Sequence, residues 1–172
     1  ELSGDTASSE SAVLHALDEH EKTYGEPVDV VLLVQCTSPF VTSEEVDAVA
    51  QAVLNGADSA LTAAPFHGFV WTDQDATGLA IEARGVNHDS TKPRMRRQDR
   101  TPEFLETGTA YAMRPEGLRK HRKRFFGDVA LVRTDPARVL EIDTLHDLTR
   151  ADALIRAKPL APLVGSISAE NK

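Results

Sequence analysis

The chain is 172 residues long, 41% hydrophobic and 27% charged, with a formal net charge of −8. That is enough apolar material for one soluble domain with its own core, and the acidic balance argues against nucleic acid as a general partner, whose binders carry a basic footprint. No apolar run approaches the roughly 20 residues that a bilayer span needs, and ELSGDTASSE lacks the basic-then-apolar order of a signal peptide, so the expected compartment is the cytoplasm, with no membrane partner.

Residues 8 to 22 read as a helix, capped by Ser8 or Ser9, with Val13, Leu14 and Leu17 on one face. VDVVLLVQ follows, an apolar run too short for a lone helix and expected to be a strand buried on both faces. At its end stands the only cysteine, Cys36, which excludes an internal disulfide and a cysteine-rich metal site and is expected to serve packing. Thr42 and Glu45 then form a capping box, Val46, Val49, Ala50, Val53 and Leu54 make one stripe, and Asn55-Gly56 stops the helix. DSALTAAP is a second buried strand. The order helix, strand, helix, strand predicts an α/β sheet with right-handed crossovers.

The middle changes character. FVWT and LAIEA are short strand-like pieces around Thr77-Gly78, and an arginine-rich stretch from about Arg84 to Glu103 has little periodicity. A loop of that length inside a domain is usually functional or docks on a partner subunit. TAYAM, DVALVRT and VLEI look like further strands, with PEGLRKH as a helical link. The last helix starts at Thr144, where Thr144 and Asp147 make a capping box, and Leu145, Leu148, Ala151 and Ile155 are its expected inner face. Two runs, KPRMRRQDR (92 to 100) and RKHRKR (119 to 124), concentrate cations; any anion they meet is expected to be small or held in a cleft.

VLEIDTLHDL (139 to 148) sets two acids one residue apart where a strand is expected to end. Alternation along a strand sends Glu141 and Asp143 to one side and Ile142 to the other. Ligands of open α/β sheets collect beyond the carboxyl ends of the strands, and magnesium is commonly held by one or two carboxylates together with substrate phosphates. The alternative is structural, since an aspartate before a helix often caps its free N–H groups.

DTASS (5 to 9), LLVQCTSPF (32 to 40), RRQDRTPEFLETGTAY (96 to 111) and VLEIDTLHDL together resemble, in order and spacing, the CMP-N-acylneuraminate (CMP-sialic acid) synthetases, cytidylyltransferases that activate acidic sugars. The resemblance runs to about Ala157. It implies a Rossmann-like, mostly parallel α/β sheet, a need for Mg2+, and a homodimer built through a projecting segment. Residues 1 to 157 would form the cytidylyltransferase domain, with the projection within about 66 to 127 and a tail over 158 to 172. Carried over by position, Ser9 and Gln35 contact the nucleotide; Arg97, Gln98 and Tyr111 serve the sugar; Glu141 and Asp143 hold the metal; and Arg97 and Asp143 carry the catalytic roles. The residue types suit these tasks, because a guanidinium grips a carboxylate with two parallel hydrogen bonds. The implied reaction joins CTP and a nonulosonic acid, the anomeric hydroxyl attacking the α-phosphorus, to give the CMP-sugar and pyrophosphate.

The pattern also breaks. The family begins with a strand and a glycine- and basic-rich triphosphate loop that has no counterpart in these residues, so the chain reads as N-terminally incomplete and is expected to be inactive or very weak alone. The family's arginine before NGAIY aligns with Leu105, and its asparagine with Thr107, which leaves sugar identity open; Lys92, Arg94 or Arg96 could compensate, and His67 and His88 could touch substrate. The alternatives are activation of another acidic sugar such as 3-deoxy-manno-octulosonate, a non-catalytic dimerisation or binding remnant, and, weakest, a nucleic-acid binder using KPRMRRQDR.

Overall fold

Ser8 accepts the N–H of Ser11 on its hydroxyl at 3.2 Å, and helix α1 (Ser9–Tyr24) starts there. The computed structural model describes residues 4, 7–73 and 83–157. After α1 come β1 (Val31–Val34), α2 (Ser43–Leu54), β2 (Ser59–Phe66), β3 (Trp71–Thr72), β4 (Arg84–Gly85), β5 (Glu103–Met113), α3 (Pro115–His121), β6 (Val129–Arg133) and α4 (Leu145–Arg156). Two compact units divide the chain: Glu1–Ala64 with Glu106–Lys172, and Pro65–Leu105. LAIEA falls almost wholly outside the described residues, as do Asp5 and Thr6 of DTASS and the stretch 158 to 172.

The first unit is built on a four-stranded sheet in the order β1-β5-β2-β6. β2 and β6 are parallel, Ser59 facing Val129 and Ala63 facing Arg133, whereas β1 and β5 are antiparallel, Val31 facing Met113 and Val34 facing Ala110. The Arg114 N–H donates to Asp58 O and the Ala110 N–H to the Thr62 hydroxyl, so β5 also runs against β2. Three strands therefore share one direction and β5 opposes them, giving an α/β, mostly parallel sheet with helices on both faces. Leu14 and Leu17 of α1 and Leu118 of α3 pack with Val31, Leu61, Tyr111 and Met113 on one face. Val49 and Val53 of α2 pack with Ala60, Ala110 and Ala112 on the other. The alanines at 60, 110 and 112 let α2 approach the sheet closely.

Some expectations fail for identifiable reasons. β1 lies at the sheet's edge among the described residues, so Leu32 and Val34 are 41% and 43% exposed rather than buried on both faces. Cys36 is exposed in the turn after β1, where it packs into no core. VLEI forms no strand, and its segment is tied down instead by the Ile142 N–H donating to Thr37 O at 2.9 Å. In α4 only Ala151 is buried, while Leu145, Leu148 and Ile155 are 83%, 52% and 63% exposed; an alanine is the helix's sole deep contact, and among the described residues nothing covers the larger side chains.

β5 contains the irregularity that shapes the site. Gly108 has φ +65°, and side chains change face there: Thr107 bonds Thr62 on the α2 face, on which Ala110 and Ala112 also lie. Regular alternation would put Thr107 and Ala110 on opposite faces, so Gly108 acts as a left-handed bulge residue. The Thr62 and Thr107 hydroxyls, both buried, meet at 2.7 Å, and the Thr62 oxygen also receives the Ala110 N–H at 3.1 Å. Thr62→Val would remove the hydroxyl that pairs with Thr107 and accepts that N–H, and is expected to lower stability by about 1 to 3 kcal/mol, read as a lower midpoint in urea unfolding.

Candidate active site

Three hydrogen bonds gather the site's segments in the first unit. The Gln35 N–H donates to Thr109 O at 3.0 Å, the Ser38 hydroxyl to Gly108 O at 3.3 Å, and the Ile142 N–H to Thr37 O at 2.9 Å. The QCTSP turn, the bulge of β5 and the Glu141–Asp143 segment therefore meet just past the carboxyl end of β1, the position where α/β sheets gather ligands. Upstream of Glu141, Arg138 is anchored by Glu45 at 3.2 Å, and the same buried glutamate accepts the Thr42 N–H and the Thr134 hydroxyl. The start of α2 thus holds the chain that delivers the two acids.

Glu141 is half-buried directly over Gly108, and a Cβ at 108 would overlap its carboxylate. Burial foremost, then the charges of Asp143 and Glu106, push the Glu141 carboxyl above its ordinary range. Glu141 and Asp143 are thus close enough to repel, although no strand arranges them. Asp143 is not the cap of α4: the Thr144 hydroxyl receives the Asp147 N–H and Asp147 reaches back to the Thr144 N–H, a complete capping box. The Asp143 carboxylate accepts no hydrogen bond among the described residues, which removes the structural alternative for it.

Sequence reasoning missed Glu106. It is exposed, and its Oε1 accepts the Tyr111 hydroxyl at 2.5 Å. The spacing of five gives no strand signal, since only the bulge at Gly108 brings the two to the same side. Tyr111 itself is 2% exposed, and burial foremost, with the bond to Glu106, raises its hydroxyl to about 12. The Arg124 guanidinium lies 4.7 Å from the Tyr111 ring centroid and pairs with Glu10 at 2.7 Å. Through that pair the first turn of α1, where exposed Ser9 sits, is linked to Tyr111. Burial, the largest single effect, works against the ionised Glu10, but the Arg124 hydrogen bond, a backbone hydrogen bond and the Arg124 charge together outweigh it and hold the carboxyl below its usual value. The second basic run therefore serves structure in part, with Arg119 likewise paired to Asp18 and Glu21.

Arg97 and Gln98 belong to the other unit, in a 3-10 turn over Arg97–Asp99. They line a cavity of about 500 Å³ with Phe66, His67 and Arg100. Arg97 has no ion pair among the described residues, whereas Arg96 is paired with Asp99 at 2.8 Å and Arg100 with Glu103. Of this basic cluster, the guanidinium expected to meet a sugar acid is one left open for it.

Among the described residues no group of three or more His, Cys, Asp and Glu side chains is arranged to hold a metal alone, and no helix is long and apolar enough to cross a membrane. Two carboxylates completed by phosphate oxygens are nevertheless the usual magnesium arrangement. Glu141 and Asp143 fit it: they repel one another beside a third acid, a cost that a divalent cation would relieve.

No family model and no curated protein matches the sequence. Solved structures do. A 4-diphosphocytidyl-2C-methyl-D-erythritol synthase superposes with a TM-score of 0.61 at 13% identity, covering 88% of this chain and 68% of its own. The 2-C-methyl-D-erythritol 4-phosphate cytidylyltransferase of Thermus thermophilus gives 0.55 at 19% identity, covering 86% and 69%. A CMP:2-keto-3-deoxy-manno-octonic acid synthetase solved with CTP gives 0.56 at 13% identity, covering 89% and 70%. The chain shares their fold. At these identities the likeness extends to architecture, and what the chain does must be argued from its own residues.

Proposed function

We propose that the chain is the core of a CTP-dependent cytidylyltransferase that activates an acidic sugar, with an N-acylneuraminate or related nonulosonic acid as the substrate class. The observation that carries this reading is the crowding of Glu141 and Asp143 beyond β1, with Glu141 seated over Gly108 and its carboxyl raised. Carboxylates left in mutual repulsion at a ligand-binding edge are a poor design for a purely structural module and a suitable one for a cation-dependent site. The shared fold supports the reaction class, because the similar structures include synthetases whose names state cytidylyl transfer.

Glu141 and Asp143 would hold magnesium, which when bound supplies charge neutralisation on the phosphate oxygens. Gln35, whose side chain has no hydrogen-bond partner among the described residues, and Ser9 offer neutral donors and acceptors for the nucleotide. Arg97 would pair with the sugar carboxylate and Gln98 with its hydroxyls. Tyr111 would act on the sugar through Glu106, fixing that exposed carboxylate where it can accept a sugar hydroxyl. Little covalent chemistry falls to the protein; holding two anions in reacting geometry against their repulsion supplies the rate. A homodimer in the cytoplasm is part of the same reading.

The test is pyrophosphate release from CTP by the full-length gene product, with magnesium and a panel of sugar acids that includes N-acetylneuraminate and 3-deoxy-manno-octulosonate. Release with a nonulosonic acid is the expected result. Release only with 3-deoxy-manno-octulosonate would shift the substrate, and no release together with no magnesium-dependent heat on adding CTP would leave a binding remnant. Arg97→Lys should raise the KM for the sugar acid by at least about tenfold while the KM for CTP changes little, because a point charge replaces a bidentate fork.

A further inference from the structure

Pro65–Leu105 carries a second cavity, of about 480 Å³, that shares Arg100, Thr101 and Glu103 with the Arg97 cavity. Its size lies within the range of small-molecule sites. The charges along this cavity are matched with one exception. Lys92 pairs with Asp89 at 3.1 Å and Arg100 with Glu103, so both carboxylates lining the cavity are neutralised. Arg94 has no hydrogen bond or ion pair among the described residues.

Arg94 is nonetheless held in place. Its guanidinium carbon lies 4.4 Å from the centroid of the Phe69 ring, over which Arg100 also sits at 4.3 Å. The cation–π contact holds the Arg94 guanidinium over the ring while its N–H groups have no protein acceptor among the described residues, which suits it to a planar anion. Arg100 is committed elsewhere, donating to His67 O at 2.9 Å as well as to Glu103. Arg94 is thus the cation in excess.

His88 lines the same cavity and is packed edge-on against Phe69 and Trp71, with ring centroids 4.9 and 4.8 Å away. Asn87 settles how that ring is used. Its amide is oriented by the Val70 N–H donating to Oδ1 at 2.9 Å and by Nδ2 donating to Gly68 O at 2.9 Å. The Oδ1 that faces His88 Nδ1 at 3.4 Å is therefore an acceptor, and Nδ1 carries the proton. Nε2 remains as the ring's second polar atom, buried and without a hydrogen-bond partner among the described residues. Buried polar atoms are rarely left in that state without a ligand, ion or water to meet them.

We propose that this cavity is a second binding site, adjoining the Arg97 cavity, for a small hydroxylated anion, in which Arg94 grips a carboxylate or phosphate and His88 Nε2 meets a neighbouring hydroxyl. Phe69 and Met95 would supply its apolar wall. The site does not depend on cytidylyl transfer and would stand if that reading failed.

The experiment follows the His88 ring signals by NMR at fixed pH and ionic strength while the chain is titrated with inorganic phosphate, with acetate and with gluconate. A saturable shift of the His88 signals is expected with phosphate or with a carboxylate, tighter for gluconate than for acetate if a hydroxyl meets Nε2. Arg94→Gln should weaken the binding by at least about tenfold, and Arg94→Lys, which keeps charge without the fork, should restore only part of it. Arg97→Gln should leave the His88 titration within about twofold of the parent. Unchanged affinity in Arg94→Gln, loss of the shift in Arg97→Gln, or no saturable shift with any of the three anions overturns the assignment.

Discussion

Gly108→Ala is expected to abolish the stabilisation by magnesium or manganese that the proposed Glu141–Asp143 site predicts. Two independent penalties meet at this residue. Its φ of +65° lies in the left-handed region, where an L side chain costs roughly 1 kcal/mol or more. The added Cβ would also occupy the space of the Glu141 carboxylate. The strain alone lowers stability without touching the metal; the overlap expels Glu141 from its seat. Manganese affinity measured by electron paramagnetic resonance separates the two, because only the displaced carboxylate weakens the ion. Gly108→Asn refines the test, since asparagine tolerates the left-handed conformation better yet still carries the intruding Cβ, so it should recover stability but not metal affinity. Parent-like manganese affinity in both variants would show that Glu141 is not a ligand.

Much of this arrangement was legible in the sequence where local chemistry decides the outcome. The Thr42 and Thr144 capping boxes could be read from spacing alone and form as expected, because both partners lie within one helical turn. The buried run of β2 was equally clear, since a central strand has no solvent face to encode. What failed depends on neighbours that a one-dimensional pattern does not contain. Leu32 and Val34 read as core, but exposure is set by whether another strand lies beside β1. Leu145, Leu148 and Ile155 have helical periodicity without a partner to cover them among the described residues. In VLEIDT the proximity of the two acids was anticipated through strand alternation, yet the segment is extended coil held by Thr37 and Arg138, so a sound conclusion about proximity rested on the wrong backbone. Glu106 escaped notice because its link to Tyr111 requires the change of face at Gly108, which one glycine in TGT does not announce.

Glu141→Gln should make the metal-free chain more stable at neutral pH and remove its response to magnesium. The sign follows from the raised carboxyl of Glu141, which means that the folded chain binds this proton more tightly than the unfolded chain does. Its contribution to stability is then fully present below the unfolded value near 4.5 and is lost as pH rises through the folded one. At pH 7 the ionised carboxylate, facing Asp143 and Glu106, is a liability that a neutral amide of similar shape does not share. The gain in Tm should therefore be largest near neutrality, shrink as the pH falls through the raised folded value, where the parent carboxyl takes up its proton and loses the same repulsion, and be gone below about 4.5. Metal reverses the ranking. A cation bound only to the folded chain stabilises it by about 2.7 kcal/mol at a hundred times its Kd, and this gain should appear in the parent and be absent from the variant. An acid retained for packing predicts the opposite on both counts, with Gln neutral or destabilising at pH 7 and the same small effect of magnesium on parent and variant. Thermal melts at pH 4 and pH 7, each with and without magnesium, decide between a carboxylate kept for a cation and one kept for the fold.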